Sequence, residues 1–234
     1  MKRLNWVLGA VLTLAGVSMV WAEAPAATRP ASVVPAPKDL PRHEQNLKRI
    51  AEGPIGAVFF GDSITDGWHG AADVWKRAFG QYEPANFGIS GDRTQHVLWR
   101  MLNGELDGYH PKVIVLMIGT NNMGDAADDI VQGVQAIVQT ARQKQPQAKI
   151  LLLAIFPRQH EPGELRHKVQ QVNDKLEKLA DGENVRFLDI ASHFISEDGT
   201  ISSEIMPDYL HLSHKGYEIW AEAMGPVLAE MMKP

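Results

Sequence analysis

From about residue 41 to the end of the chain, short apolar runs alternate with longer amphipathic stretches. Ile55 to Phe60, Val113 to Ile118 and Ile150 to Ile155 read as strands buried on both faces. Tyr82 to Phe87 is a weaker run, and Val185 to Leu188 a last short one. Between them, Ile130, Val131, Val134, Ile137, Val138 and Ala141 share one helical face. Val97, Leu98, Met101 and Leu102 repeat that spacing, as do Val169, Val172, Leu176 and Leu179. A final helix is expected through Tyr217, Trp220, Ala221, Met224, Leu228 and Met231. The alternation predicts an α/β fold, a three-layer α/β/α sandwich around a parallel sheet of about five strands.

The N-terminus breaks this pattern. Lys2 and Arg3 precede an apolar stretch from Leu4 to Trp21, and Val20-Trp21-Ala22 has the small-residue spacing of a cleavage site. Residues 1–22 are therefore expected to be a signal peptide, which makes the mature protein secreted or periplasmic and free of the membrane. The rival is a retained anchor, because the run approaches the ~17–25 residues that span a bilayer. Residues 23–40 carry Pro25, Pro30, Pro35 and Pro37 among alanines and read as a mobile, extended linker. One catalytic domain, residues 41–234, follows.

Composition narrows the chemistry. With 44% hydrophobic and 22% charged residues the chain is ordinary for a folded domain. A net charge of −5 gives no reason to expect nucleic acid as a partner. The absence of cysteine excludes disulfides, thiol catalysis and thiolate metal sites. No Walker or Gly-x-Gly-x-x-Gly pattern appears, so no nucleotide cofactor is expected.

In a parallel sheet the site lies at the carboxyl ends of the strands. There stand Gly61-Asp62-Ser63, then Asn86 through Asp92, then Gly119-Thr120-Asn121-Asn122. Near the C-terminus Asp208 precedes His211. A serine hydroxyl needs an imidazole to take its proton, and the imidazole needs an acceptor that fixes its tautomer. Ser63 is thus the candidate nucleophile, His211 the general base and Asp208 its orienting partner. The backbone N–H groups of Ser63 and Gly91 and the Asn121 amide are candidate oxyanion donors. Taken singly each fragment has a plainer reading: Gly-Asp-Ser as a capped turn, Asn121 as a turn residue, His211 as a polar residue before a helix. Asp208, His211 and His214 also form a conceivable zinc set, but one that leaves Ser63 without a role. Thr65 replaces the second glycine of a Gly-x-Ser-x-Gly elbow. Ile64, Trp68, Thr120 and Met206 adjoin these positions and are candidates for the acyl or substrate wall. Asp92 and Arg93 are expected to shape or cap the loop before a helix from Thr94, and the other histidines, His43 and His96 among them, to lie at the surface.

Those ordered blocks resemble the SGNH hydrolases, the GDSL esterase and lipase superfamily, with Ile64 where that family has leucine. More narrowly, Asn86 to Gly91, His96 to Arg100, Asn103 to Leu106, Gly119 to Asn122, Asp198 to Ser202 and Asp208 to Ser213 resemble the catalytic subunits of intracellular platelet-activating-factor acetylhydrolase. The resemblance runs over roughly residues 41–230. It implies a flavodoxin-like fold, no metal, short acyl groups (often acetyl), homodimers, and the same roles for Ser63, Gly91, Asn121, Asp208 and His211. The leader-like segment departs from those cytosolic subunits and turns the expectation toward O-acetylated carbohydrates. The chain is therefore expected to be a secreted serine esterase of short-chain esters. A lipid esterase acting on platelet-activating factor or lysophospholipid is the alternative, and a non-catalytic glycan-binding module is a third reading of another class.

Overall fold

The computed structural model describes residues 29–233. The expected signal peptide, residues 1–22, lies outside the described residues. Five strands form one sheet: β1 (Ala57–Gly61), β2 (Pro84–Gly88), β3 (Val113–Met117), β4 (Lys149–Leu153) and β5 (Val185–Leu188). Each lies within an apolar run singled out above or overlaps it with a shift of a residue or two. The order is β2-β1-β3-β4-β5 and every pairing is parallel. The chain moves one way from β1 to β2 and then crosses back to β3. The carboxyl end of β1 is consequently the switch point, where neighbouring loops diverge and leave a crevice.

Seven α-helices among the described residues complete the layers: α1 (Leu40–Ala51), α2 (Ser63–Asp66), α3 (Ala72–Phe79), α4 (Thr94–Arg100), α5 (Ala127–Lys144), α6 (Glu164–Leu176) and α7 (His214–Met231). Alternate strand residues point to opposite faces of the sheet. Val58, Phe60, Ile114, Leu116, Ile150 and Leu152 meet Val97, Met101, Ile137 and Val172 from α4, its continuation, α5 and α6. Ala57, Phe59, Val113, Val115, Leu151 and Leu153 meet Val74, Phe79, Trp220 and Met224 from α3 and α7. Each large side chain fully buried here contributes ~1.5–3 kcal/mol against leaving it in water. No helix among the described residues is long and apolar enough to cross a membrane.

Three features differ from the expectations. Helix α1, which no apolar run marks, fully buries the polar His43 and Asn46, while Ile50 is only partly buried against the core. His43 is thus not a surface residue, because its Nδ1 lies 2.8 Å from Glu105 Oε1 in the interior. Leu102 is 47% exposed, since α4 widens into a π turn over Met101–Glu105 that closes on Gly104 at φ +110°. Finally, the described part of the Pro/Ala-rich segment is seated rather than free. Ser32 Oγ donates to Asp129 O at 2.6 Å, Thr94 Oγ1 to Ser32 O at 3.0 Å, and Ala36 N to Gln95 O at 3.2 Å. A segment without apolar periodicity has docked through its main chain and the buried Ser32 hydroxyl.

Candidate active site

Ser63 opens α2 directly after β1. Asp62 caps that helix, its Oδ1 accepting from Ile64 N at 3.0 Å, and so sets the turn that presents Ser63. Tyr217 OH of α7 donates to Ile64 O at 2.8 Å and pins the same turn from the far side. The end of β2 presses against α2 so closely that a Cβ on Gly88 would stand 2.2 Å from Asp66 N. Only glycine fits there.

His211 reaches Ser63 from the loop before α7. Its Nε2 lies 2.9 Å from Ser63 Oγ, and its Nδ1 2.6 Å from Asp208 Oδ2. Asp208 Oδ1 also accepts the main-chain N–H groups of Leu210 at 3.1 Å and His211 at 2.7 Å. Tyr209, at φ +58°, supplies the left-handed step that closes this turn. Burial opposes the charge on Asp208, yet the His211 ring and the two N–H groups hold its carboxyl below the usual value. With Nδ1–H given to the carboxylate, Nε2 presents its lone pair to the serine hydroxyl. His214 takes no part: its Nε2 faces Asp73 at 2.9 Å, so the conceivable zinc set of Asp208, His211 and His214 is not gathered. Among the described residues no group of three His, Asp or Glu side chains is placed to hold a metal ion.

The loop after β2 brings Gly91 to the same rim with φ +75°, a conformation that favours glycine. Asn121 follows β3, and its Nδ2 donates to Asp92 O at 2.8 Å, leaving its second amide hydrogen for another acceptor. Asp92 does not cap α4. Asn122 Oδ1 accepts from Thr94 N at 2.9 Å, and His96 Nδ1 accepts from Arg93 N at 3.0 Å. Burial, then Lys38, Arg93 and Arg100, push His96 down to about 4, which keeps the ring neutral and able to accept. Arg93 pairs with Asp125 at 2.7 Å.

Behind the rim lies a polar cluster that apolar periodicity could not reveal. Arg100 Nε donates to Asp92 Oδ2 at 2.9 Å while its Nη1 bonds Glu105 Oε2. Asn46 Nδ2 donates to Glu105 at 3.0 Å beside His43. Burial pushes Asp92 up to about 6, against the pull of Arg100 and Lys38. Burial, aided by the Asp92 charge, raises Asp62 further, to about 7, against the pull of the Ile64 N–H, the His211 ring and its own N–H.

Ile64, Trp68, Thr120 and Met206, expected at the substrate wall, are 1%, 1%, 3% and 0% exposed. Three of them belong to the core: Trp68 packs on Trp75, Phe79, Tyr217 and Trp220, and Ile64 and Met206 lie in the same cluster. Thr120 Oγ1 accepts from Arg158 at 3.2 Å. Shortening any of the three apolar ones would open a core cavity rather than widen an acyl pocket. A cleft of about 820 Å³ lies elsewhere along the rim, lined by Ile155, Pro157, Gly163, Arg166 and Val169. The Ser63 site opens to solvent through its partners, with the Asp208 and His211 side chains 56% and 44% exposed.

Comparison with known proteins bears on this geometry. A family model described as GDSL-like lipase/acylhydrolase matches residues 59–219. Platelet-activating factor acetylhydrolase IB subunit alpha1 of Homo sapiens is 43% identical over 176 residues, covering 75% of this chain and 76% of its own. A carbohydrate acetylesterase from Sinorhizobium meliloti superposes with a TM-score of 0.61 at 18% identity, over 76% of this chain and 98% of its own. An acetyl-xylooligosaccharide esterase from Geobacillus superposes with 0.60 at 19% identity, over 78% and 97%. At such identities the two superpositions speak for the α/β/α fold, whereas the family match and the human relative extend to the chemistry. The chain belongs to the GDSL-like lipase/acylhydrolase family and is a carboxylic-ester hydrolase.

Proposed function

We propose that the protein is an exported serine esterase that removes acetyl or similarly short acyl groups from carbohydrates through an acyl-enzyme. The observation that carries the reading is the continuous line from Ser63 Oγ to His211 Nε2 at 2.9 Å and from His211 Nδ1 to Asp208 at 2.6 Å. Ser63 Oγ attacks the ester carbon as its proton passes to His211 Nε2. The carbonyl oxygen gains charge and is met by the N–H groups of Ser63 and Gly91 and by the Asn121 amide. The intermediate collapses, the C–O bond to the alcohol breaks, and His211 returns the proton to the departing oxygen. Water then repeats both steps on the acyl-enzyme and releases the acid.

The half-exposed Asp208 and His211 suit an ester carried on a bulky polymer, which has no need to enter a deep pocket. Export rests on Lys2, Arg3 and the apolar stretch to Trp21. A second substrate is favoured by the 43% identity to the human subunit: an acetyl ester of the platelet-activating-factor type. Both share the acyl group and differ in the leaving alcohol.

The test is a set of nitrophenyl esters of rising chain length beside acetylated xylan and an acetylated phospholipid. The reading expects fastest turnover on acetate and release of acetate from xylan; release from the phospholipid alone would select the second substrate. Ser63→Ala should lower kcat on the order of 10⁶-fold without unfolding the chain. Retained turnover in that variant overturns the serine mechanism, and binding of acetylated glycan without any turnover of wild type would mark a non-catalytic module.

A further inference from the structure

The Pro/Ala-rich segment before α1 ends on a lysine aimed at the rim. Residues 31–36 are fastened over α4 and α5 by the Ser32, Thr94 and Ala36 hydrogen bonds. A Cβ on Gly133 of α5 would come within 2.9 Å of Ser32 O, so the strap lies directly on that helix. Two residues further, Lys38 Nζ donates to Ser90 O at 2.6 Å and stands 3.8 Å from Asp92 Oδ1. The same ammonium would be 3.4 Å from a Cβ on Gly91. Lys38 therefore grips the loop after β2 at both residues that flank Gly91.

The geometry of a peptide unit gives this contact a consequence. Ser90 C=O and Gly91 N–H belong to one rigid plane and point in opposite directions. A glycine at φ +75° leaves that plane few steric restraints of its own. Holding Ser90 O from one side thus aims Gly91 N–H toward the other. A cation on the carbonyl also polarises the amide and makes its N–H a stronger donor.

We propose that Lys38 is a positioning residue for the reaction: through Ser90 O it orients and polarises the Gly91 N–H that receives the oxyanion, and Asp92 keeps the ammonium in place. This rests on the reading of Gly91 and Asn121 as oxyanion donors. Asp92 has a second link to that machinery, since its main-chain oxygen holds Asn121 Nδ2 at 2.8 Å. The strap thereby becomes part of the catalytic unit, although it lies before residue 59, where the family match begins.

The experiment compares wild type, Lys38→Met, Lys38→Arg and Asn121→Ala in the full chain, measuring kcat and KM on nitrophenyl acetate together with thermal unfolding. Lys38→Met keeps the length of the stem and removes the charge at a one-third-exposed position. Its kcat should fall ~10–100-fold, since small displacements of a catalytic donor are enough for that, with KM within about threefold. Its unfolding midpoint should stay within about 2 °C, as befits one partly exposed ion pair. Lys38→Arg, which can still donate to Ser90 O, should recover most of the rate. Asn121→Ala tests the underlying reading and should lose ~10²–10³-fold in kcat. A full loss in Asn121→Ala beside an unchanged kcat in Lys38→Met overturns the proposal and leaves the oxyanion reading standing. An unchanged kcat in Asn121→Ala overturns the reading and the proposal with it. A rise in KM alone in Lys38→Met, or a rate loss that arginine does not recover, also overturns the positioning role.

Discussion

The two loops that meet around Ser63 are built in opposite ways. The Asp208–His211 loop is made locally: its acid, its imidazole and two N–H groups bond to each other within three residues. Both side chains stay about half exposed. The Ser90–Asp92 loop is made at a distance, by Lys38, Arg100 and Asn121, and Asp92 is wholly buried. A group that must pass protons benefits from solvent and from a hydrogen-bonded charge. A group that only holds geometry benefits from burial, where an ion pair has fewer competitors. Asp62 completes the contrast. It is as buried as Asp92 but faces no cation directly, and its carboxyl goes higher, to about 7 against about 6.

The largest effect should come from the exposed loop. Asp208→Asn is expected to lower kcat on the order of 10⁴-fold, by the precedent of other triads, while the unfolding midpoint barely moves. Kinetics and a thermal melt on one preparation check it; a large loss of stability would erase the contrast between the loops. Arg100→Met should do the reverse. It strands Asp92 and Glu105 as buried charges, and urea unfolding should register a loss of about 3–5 kcal/mol.

The next effect is a pH dependence. The folded Asp62 carboxyl titrates at about 7 and the unfolded one near 3.8, so folding takes up a proton between those values. Stability from this group therefore falls as pH rises from about 4 to 7 and is flat above. Asp62→Asn can still accept the Ile64 N–H and should remove that fall, raising the midpoint more at pH 8 than at pH 5. An equal change at both pH values would show that Asp62 is already ionised in the folded protein. Smallest, Asn46→Ala should cost about 1–3 kcal/mol by withdrawing one donor from buried Glu105, with kcat on nitrophenyl acetate close to wild type.

Strands and the larger helices were legible because their inward positions are apolar and repeat at the period of the element, as in β3 or α5. Helix α1 was not, because the residues it buries are His43 and Asn46, which no hydrophobic pattern marks. Leu102 follows the helical spacing of its neighbours but is turned outward by the π turn, a local widening that spacing does not encode. Asp208 and His211 stood out because a short loop must carry both. Ile64, Trp68 and Met206 lie near site residues in sequence, which is all that suggests them as pocket lining. Nearness in sequence does not set where a side chain points, and these three lie in the core.

By itself the sequence determined the parallel sheet, the order of the blocks along it and the residue types that meet at the carboxyl ends of β1, β2 and β3. Hydrophobic periodicity and local turn chemistry are short-range, and both survive in a one-dimensional string. Only the tertiary structure decided which charges lie behind the rim and what the strap touches. The partners of Asp92 come from residues 38, 100 and 121, and their meeting depends on how separate elements pack.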